Sequence, residues 1–108
     1  MNEIEALRAL AALSQATRLA IFRALVAAGP NGLRPAELAG QLEVPASSLS
    51  FHLKELLHAQ LIAQQRSGKF LIYSADFARM NALLAYLSEN CCQGQPCTEL
   101  APAACRVC

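Results

Sequence analysis

Apolar residues recur along this chain first at helical spacing, then at alternate positions, then at helical spacing again. Asn2 followed by Glu5 forms a capping-box pattern, and Ile4, Leu7, Leu10, Ala11 and Leu13 then repeat on a helical period, which predicts a helix over residues 3–13. Ser14 is placed to cap a second helix whose Leu19, Phe22, Leu25 and Val26 face one way, and Gly29-Pro30-Asn31-Gly32 ends it. Pro35 suits the first turn of a short third helix carrying Leu38 and Leu42, and Val44-Pro45 closes it because a residue before proline is driven out of the helical region. A fourth helix is expected from Ala46 to Ala59, with Leu49, Leu53, Leu56 and Leu57 on its buried side. The period then shortens. Leu61 to Arg66 and Phe70 to Ala75 alternate as strands around a Ser67-Gly68-Lys69 turn, a β-hairpin. From Phe77 the helical spacing returns with Met80, Leu83, Leu84 and Leu87, and is expected to continue until Gly94 and Pro96 forbid it.

Composition agrees with a mostly helical fold. The 21 Ala and 18 Leu far outnumber the 4 Ile and 3 Val, so helix formers dominate β-branched residues. A length of 108 residues allows one small domain with one core. No charge-free apolar run reaches membrane-spanning length, and Met1-Asn2-Glu3-Ile4-Glu5 is acidic where a secretory signal would be basic, so a soluble cytoplasmic protein with no membrane partner is expected.

The order helix, helix, short helix, turn, helix, hairpin, helix is that of a winged helix-turn-helix, in which the second helix of the motif enters the major groove and the hairpin reaches flanking backbone. The expected fold class is therefore mainly α with a β-hairpin. The exposed face of the fourth helix offers Ser47, Ser48, Ser50, His52 and Lys54 to bases or phosphates, and the hairpin adds Gln64, Gln65, Arg66 and Lys69. A formal net charge of only +1 argues against nucleic acid when taken over the whole chain. Between residues 47 and 70, however, Lys54, Arg66 and Lys69 oppose only Glu55, giving +2 there and −1 elsewhere. Taken singly, each residue has a plainer reading, the serines as helix caps and His52 as a half-buried hydrogen-bonding residue. The case for double-stranded DNA rests on order and spacing together.

Leu13-Ser14-Gln15-Ala16-Thr17-Arg18-Leu19, the run Ser50-Phe51-His52-Leu53-Lys54-Glu55-Leu56 with Ala59 and Leu61 behind it, and the Arg66 to Tyr73 hairpin resemble the ArsR/SmtB family of metal-responsive repressors. The resemblance spans residues 4–90, and its S-x-H-L-x-x-L run is the most specific part. It implies a non-enzymatic homodimer packed through the first and last helices, two recognition helices set for a palindromic operator, and release of DNA on ligand binding. Gln60 departs from the family, which usually has glycine at the end of the recognition helix; a left-handed glutamine there would be strained.

All five cysteines lie between Cys91 and Cys108, so residues 1–92 are expected to form the DNA-binding and dimerisation domain and 93–108 a cysteine-rich tail completing an inducer site. Two inducer sites known in the family are missing. Residues 35–42 hold no cysteine for the arsenic site that precedes the recognition helix, and the last helix has Asp76 but no histidine for the zinc-type site. What remains is Cys91-Cys92-Gln93-Gly94-Gln95-Pro96-Cys97, then Cys105-Arg106-Val107-Cys108. The first run resembles a subset of arsenic-responsive members in which a vicinal pair and a third cysteine bind trivalent arsenic. Arsenite and antimonite are the inducers it implies, As(III) and Sb(III) being soft centres that favour thiolates, and no constitutive cofactor is expected. Adjacent residues on an intact helix point about 100° apart, so Cys91 and Cys92 converge only where the backbone leaves the helix, a departure Gly94 and Pro96 supply. Cys105 and Cys108 leave other readings open: four thiolates around zinc or cadmium, delivery of metal to the main site, or a disulfide in a redox sensor, and the same scaffold could respond to another soft metal such as lead. A thiol enzyme is disfavoured, since no anion-binding loop accompanies any cysteine.

Overall fold

The computed structural model describes residues 1–90 and Gln93. Its elements are α1 (Glu3–Leu13), α2 (Ala16–Ala28), α3 (Pro35–Leu42), α4 (Ala46–His58), β1 (Ile62–Ser67), β2 (Phe70–Ala75) and α5 (Phe77–Leu87), the winged helix-turn-helix order. Among the described residues no single helix is long and apolar enough to cross a membrane; α1 and α2 meet at 102°.

The capping box forms as expected: the Glu5 amide donates to the Asn2 side chain at 2.8 Å, and the Asn2 amide donates back to the Glu5 carboxylate at 3.0 Å. Ser14 does not cap α2. Its hydroxyl donates to the Ala11 carbonyl at 2.9 Å and so terminates α1, while Gln15 accepts the Arg18 amide at 2.8 Å and caps α2. A longer side chain thus takes the N-cap role once serine is drawn to the preceding helix.

The core is organised around α2. Ile21 and Leu25 meet Leu38 of α3, Leu49, Leu53 and Leu56 of α4, and Leu61 and Ile62 at the entry to the hairpin. Leu25, Leu38 and Leu56 are fully buried, and truncating any one to alanine costs about 2–5 kcal/mol through lost transfer energy and the cavity left behind. From α1 only Ala6 and Ala9 are buried. These small residues let α1 lie close to its neighbours, and the larger stripe of Ile4, Leu7 and Leu10 is left facing outward.

Gln60 is left-handed, with φ +64°, and completes a helix-ending motif. The Leu61 amide donates to the Leu56 carbonyl at 3.1 Å and the Gln60 amide to Leu57 at 3.0 Å, while Leu56 and Leu61 are both buried. Leu61 therefore belongs to the close of α4, and the first strand begins one residue later than its alternation predicts. Ser67 pairs with Phe70, so the hairpin turn is the two residues Gly68-Lys69, with Gly68 at φ +61°. On β1 only Ile62 is buried, because the hairpin projects past the core. Likewise α3 ends before Val44-Pro45 acts on it: Glu43 is already left-handed at φ 53°.

Leu33 and Tyr73 exchange backbone hydrogen bonds at 2.8 and 2.9 Å, which fastens the segment before α3 to β2. Gly32, at φ +68°, is required there, since a Cβ would collide with the Tyr73 carbonyl oxygen.

The last helix is shorter than its period implies. It ends at Leu87, where the Ser88 hydroxyl donates to the Leu84 carbonyl at 2.8 Å, and Asn90 follows at φ 59°. Local capping chemistry stops α5 before Gly94 and Pro96 are reached.

Candidate nucleic-acid interface

The side chains expected to meet DNA are carried by α4 and the hairpin. Leu49, Leu53 and Leu56 hold one face of α4 in the core, and that anchoring leaves Ser47, Ser48, Ser50 and Lys54 exposed on the other. Pro45 is the N-cap residue of α4 and supplies no side-chain bond. Among the described residues the three serine hydroxyls have no protein partner, so they are donors and acceptors available to a ligand rather than caps. The same end of the helix carries uncapped first-turn amides and the positive end of the peptide dipole, which suit a phosphate oxygen.

His52 sits differently from the serines. It is half-buried at the border between the two faces of α4, one turn after Ser48. Its Nδ1 lies 3.2 Å from an Arg18 guanidinium nitrogen, and its ring meets the edge of Phe51 at 5.4 Å between centroids. Arg18 is held in turn by α1, donating from Nε to the Ala12 carbonyl at 2.7 Å. Phe51 itself is 55% exposed on the outer face of the helix.

On the hairpin, Gln64, Gln65, Arg66 and Lys69 are all exposed. Near its tip the Arg34 guanidinium stacks on the Phe70 ring, 4.6 Å from the centroid. Arg34 stands just before α3, where Glu37 accepts its amide at 2.8 Å and approaches its Nε at 3.4 Å. Those contacts, chiefly the backbone bond, hold the Glu37 carboxyl below the usual range for glutamate. Lys54 on α4 and Arg66 and Lys69 on the hairpin are exposed, while Arg34 is paired with Glu37 and stacked on Phe70.

Arg18, Arg34 and Phe51 were not among the residues expected to meet DNA, although Arg18 and Phe51 stand in the family-like runs. Arg18 and Arg34 act through partners distant in the chain, and Phe51 read simply as part of a motif; its side chain, lying between Ser47 and Lys54 on the open face, had a signal in the helical period itself. Cys91, Cys92, Cys97, Cys105 and Cys108 lie outside the described residues. Among the described residues, no three His, Cys, Asp or Glu side chains come together as metal ligands.

Residues 13–65 match the family described as a helix-turn-helix domain. The chain is 36% identical over 81 residues to the arsenical resistance operon repressor of Bacillus subtilis (strain 168), covering 75% of this chain and 73% of that protein. In three dimensions it is similar to an ArsR-like transcriptional regulator from Rhodococcus sp. RHA1, with a TM-score of 0.73 and 25% identity over 95% of this chain and 91% of the other. It is also similar to reduced HlyU from Vibrio cholerae N16961, with a TM-score of 0.66 and 28% identity over 85% and 94% of the two chains.

Proposed function

The chain belongs to the ArsR family of DNA-binding transcriptional regulators, and on that premise we propose that it is a homodimeric repressor released from a palindromic operator by trivalent arsenic or antimony at Cys91, Cys92 and Cys97. The observation that carries the ligand is the distribution of thiols, five in residues 91–108 and none in residues 1–90. Such a placement adds a site to a domain that folds without it, residues 1–92 forming the domain and 93–108 the tail. Soft trivalent metalloids favour a pyramid of thiolates, which a vicinal pair and one further cysteine supply. The B. subtilis relative is named for arsenical resistance, which supports the same inducer.

Dimerisation is supported by the apolar surface left over from the core. Ile4 and Leu7 on α1 are 68% and 60% exposed, and Leu84 and Leu87 on α5 are 45% and 57% exposed. The two helices are joined by an ion pair, so one self-complementary surface suffices for a two-fold dimer. In that dimer Ser47, Ser48, Ser50, His52 and Lys54 face the major groove, and Arg66 and Lys69 neutralise flanking phosphates. The recognition helices must then be about 34 Å apart, one turn of DNA. Drawing the chain beyond α5 around an ion alters the subunit angle and spoils both half-sites together.

A second reading, release by thiol oxidation through Cys91 and Cys92 or Cys105 and Cys108, is favoured by the likeness to a protein whose structure is distinguished as its reduced form. Fluorescence anisotropy with C92S separates the two. The arsenite reading expects a variant that binds operator as wild type does and is not released by arsenite. Normal release of C92S by arsenite overturns the site, and release of wild type by peroxide with no response to arsenite supports the redox reading instead.

A further inference from the structure

We infer that Arg18 is a positioning residue for DNA recognition: its guanidinium holds His52 as the neutral tautomer protonated on Nε2, so that α4 presents one directed N–H donor to an acceptor on the DNA. The inference rests on the DNA-binding reading above and adds to it a residue outside the recognition helix.

A guanidinium has only donors, whereas each nitrogen of a neutral imidazole is either donor or acceptor. With the Arg18 nitrogen 3.2 Å from Nδ1, that nitrogen must supply the lone pair, and the ring proton stands on Nε2. Nε2 has no protein partner among the described residues. Nor is it one of the buried, unpartnered side-chain atoms, which are Arg79 Nε and Asn81 Oδ1, so it reaches solvent.

Arg18 is well placed to impose this arrangement because it is itself held at two points. Its Nε is anchored 2.7 Å from the Ala12 carbonyl on α1, and its amide is bound to the Gln15 side chain. The Phe51 ring, at 68° to the imidazole and 5.4 Å between centroids, makes a further contact with the imidazole. The result is a single donor with fixed direction. It suits a phosphate oxygen or a purine N7, and it is repelled by the amino groups of adenine and cytosine in the major groove.

The test has one arm on the free protein and one on DNA. In a two-bond nitrogen–proton correlation spectrum of nitrogen-15-labelled protein at neutral pH, His52 is expected to show the Nε2–H tautomer pattern. An Nδ1–H or imidazolium pattern overturns the inference, with no variant required. For the second arm the probe is a duplex selected by the wild-type protein from a random library, read by anisotropy. R18M is expected to bind about tenfold more weakly, the loss of one charge-assisted hydrogen bond, and R18K to recover part of that loss by donating to Nδ1. Adding R18M to H52A is expected to cost nothing further; additive losses overturn the inference. Methylphosphonate at single phosphates and 7-deazapurine at single bases then identify the acceptor, as the substitution that weakens wild type and leaves H52A unaffected. If no substitution behaves so, the contact to DNA is wrong. Failure to select any duplex sinks the DNA-binding reading, while the tautomer pattern still decides whether Arg18 governs His52.

Discussion

The Glu5 carboxylate lies 3.1 Å from the Arg79 guanidinium, an ion pair that joins α1 to α5 beside their exposed apolar residues. Glu5 also accepts the Asn2 amide, and the two contacts, the backbone bond foremost, hold its carboxyl below the usual glutamate range. A carboxyl lowered in the folded state contributes stability above its unfolded pKa and loses it as pH falls through the folded value. Thermal melts between about pH 5 and about pH 3 should therefore show a falling midpoint, part of it due to Glu5 and part to Glu37. E5Q should flatten the fall, and E5Q combined with E37Q should flatten it further. An unchanged slope in both would mean that other carboxylates govern acid stability.

Gln60 occupies a left-handed position at φ +64° that glycine adopts without steric cost. Q60G should stabilise the protein by about 0.5–1 kcal/mol, since relief of strain exceeds the added entropy of the unfolded chain. Denaturant melts of the two proteins decide the sign.

Arg66 and Lys69 lie exposed on the hairpin, where the expected partner is phosphate rather than a base edge. R66A and K69A should each weaken binding to specific and unrelated duplexes alike. Each should also reduce the slope of log affinity against log salt by about one. A loss confined to one sequence would instead mark a base contact.

Leu84 is exposed on α5 beside Leu87 and makes no contribution to the buried core. If the proposed dimer packs through α5, L84D should therefore leave a folded chain, seen by circular dichroism, that sediments as a monomer, and the wild type should sediment as a dimer. Its operator affinity should fall by at least about tenfold, as one half-site is lost. A dimer that survives L84D would place the interface elsewhere.

Much of this fold can be read from the chain because its signals are local. The Asn2–Glu5 box, the leucines of α4 and the glycine in the hairpin turn each act within a few residues, and each appears where it was expected. Helix ends were harder, because the same residue type can serve either neighbour. Ser14 turned back to α1 instead of forward to α2, and Ser88 closed α5 ahead of the stronger breakers. The exposure of Ser47, Ser48, Ser50 and Lys54 on α4 was legible in the helical period, but the meeting of Arg18 with His52 was not. The two partners of the Arg18 side chain stand 6 and 34 positions away, and no periodicity encodes such a meeting. The five cysteines lie outside the described residues, and their reading rests on spacing and ligand chemistry.

The bridge between Leu33 and Tyr73, tightened by Gly32 and joined near the hairpin tip by Arg34 over Phe70, welds the lead-in of α3 to the wing. Among the described residues, helix-turn-helix and wing are thus fastened together like a single casting. In the proposed dimer, a signal arriving from α5 would then act on the joint between subunits more readily than inside a half-site. Regulation would there be a matter of gauge, the track width between two wheels, and an inducer would need to shift that width only slightly for neither wheel to stay on the rail.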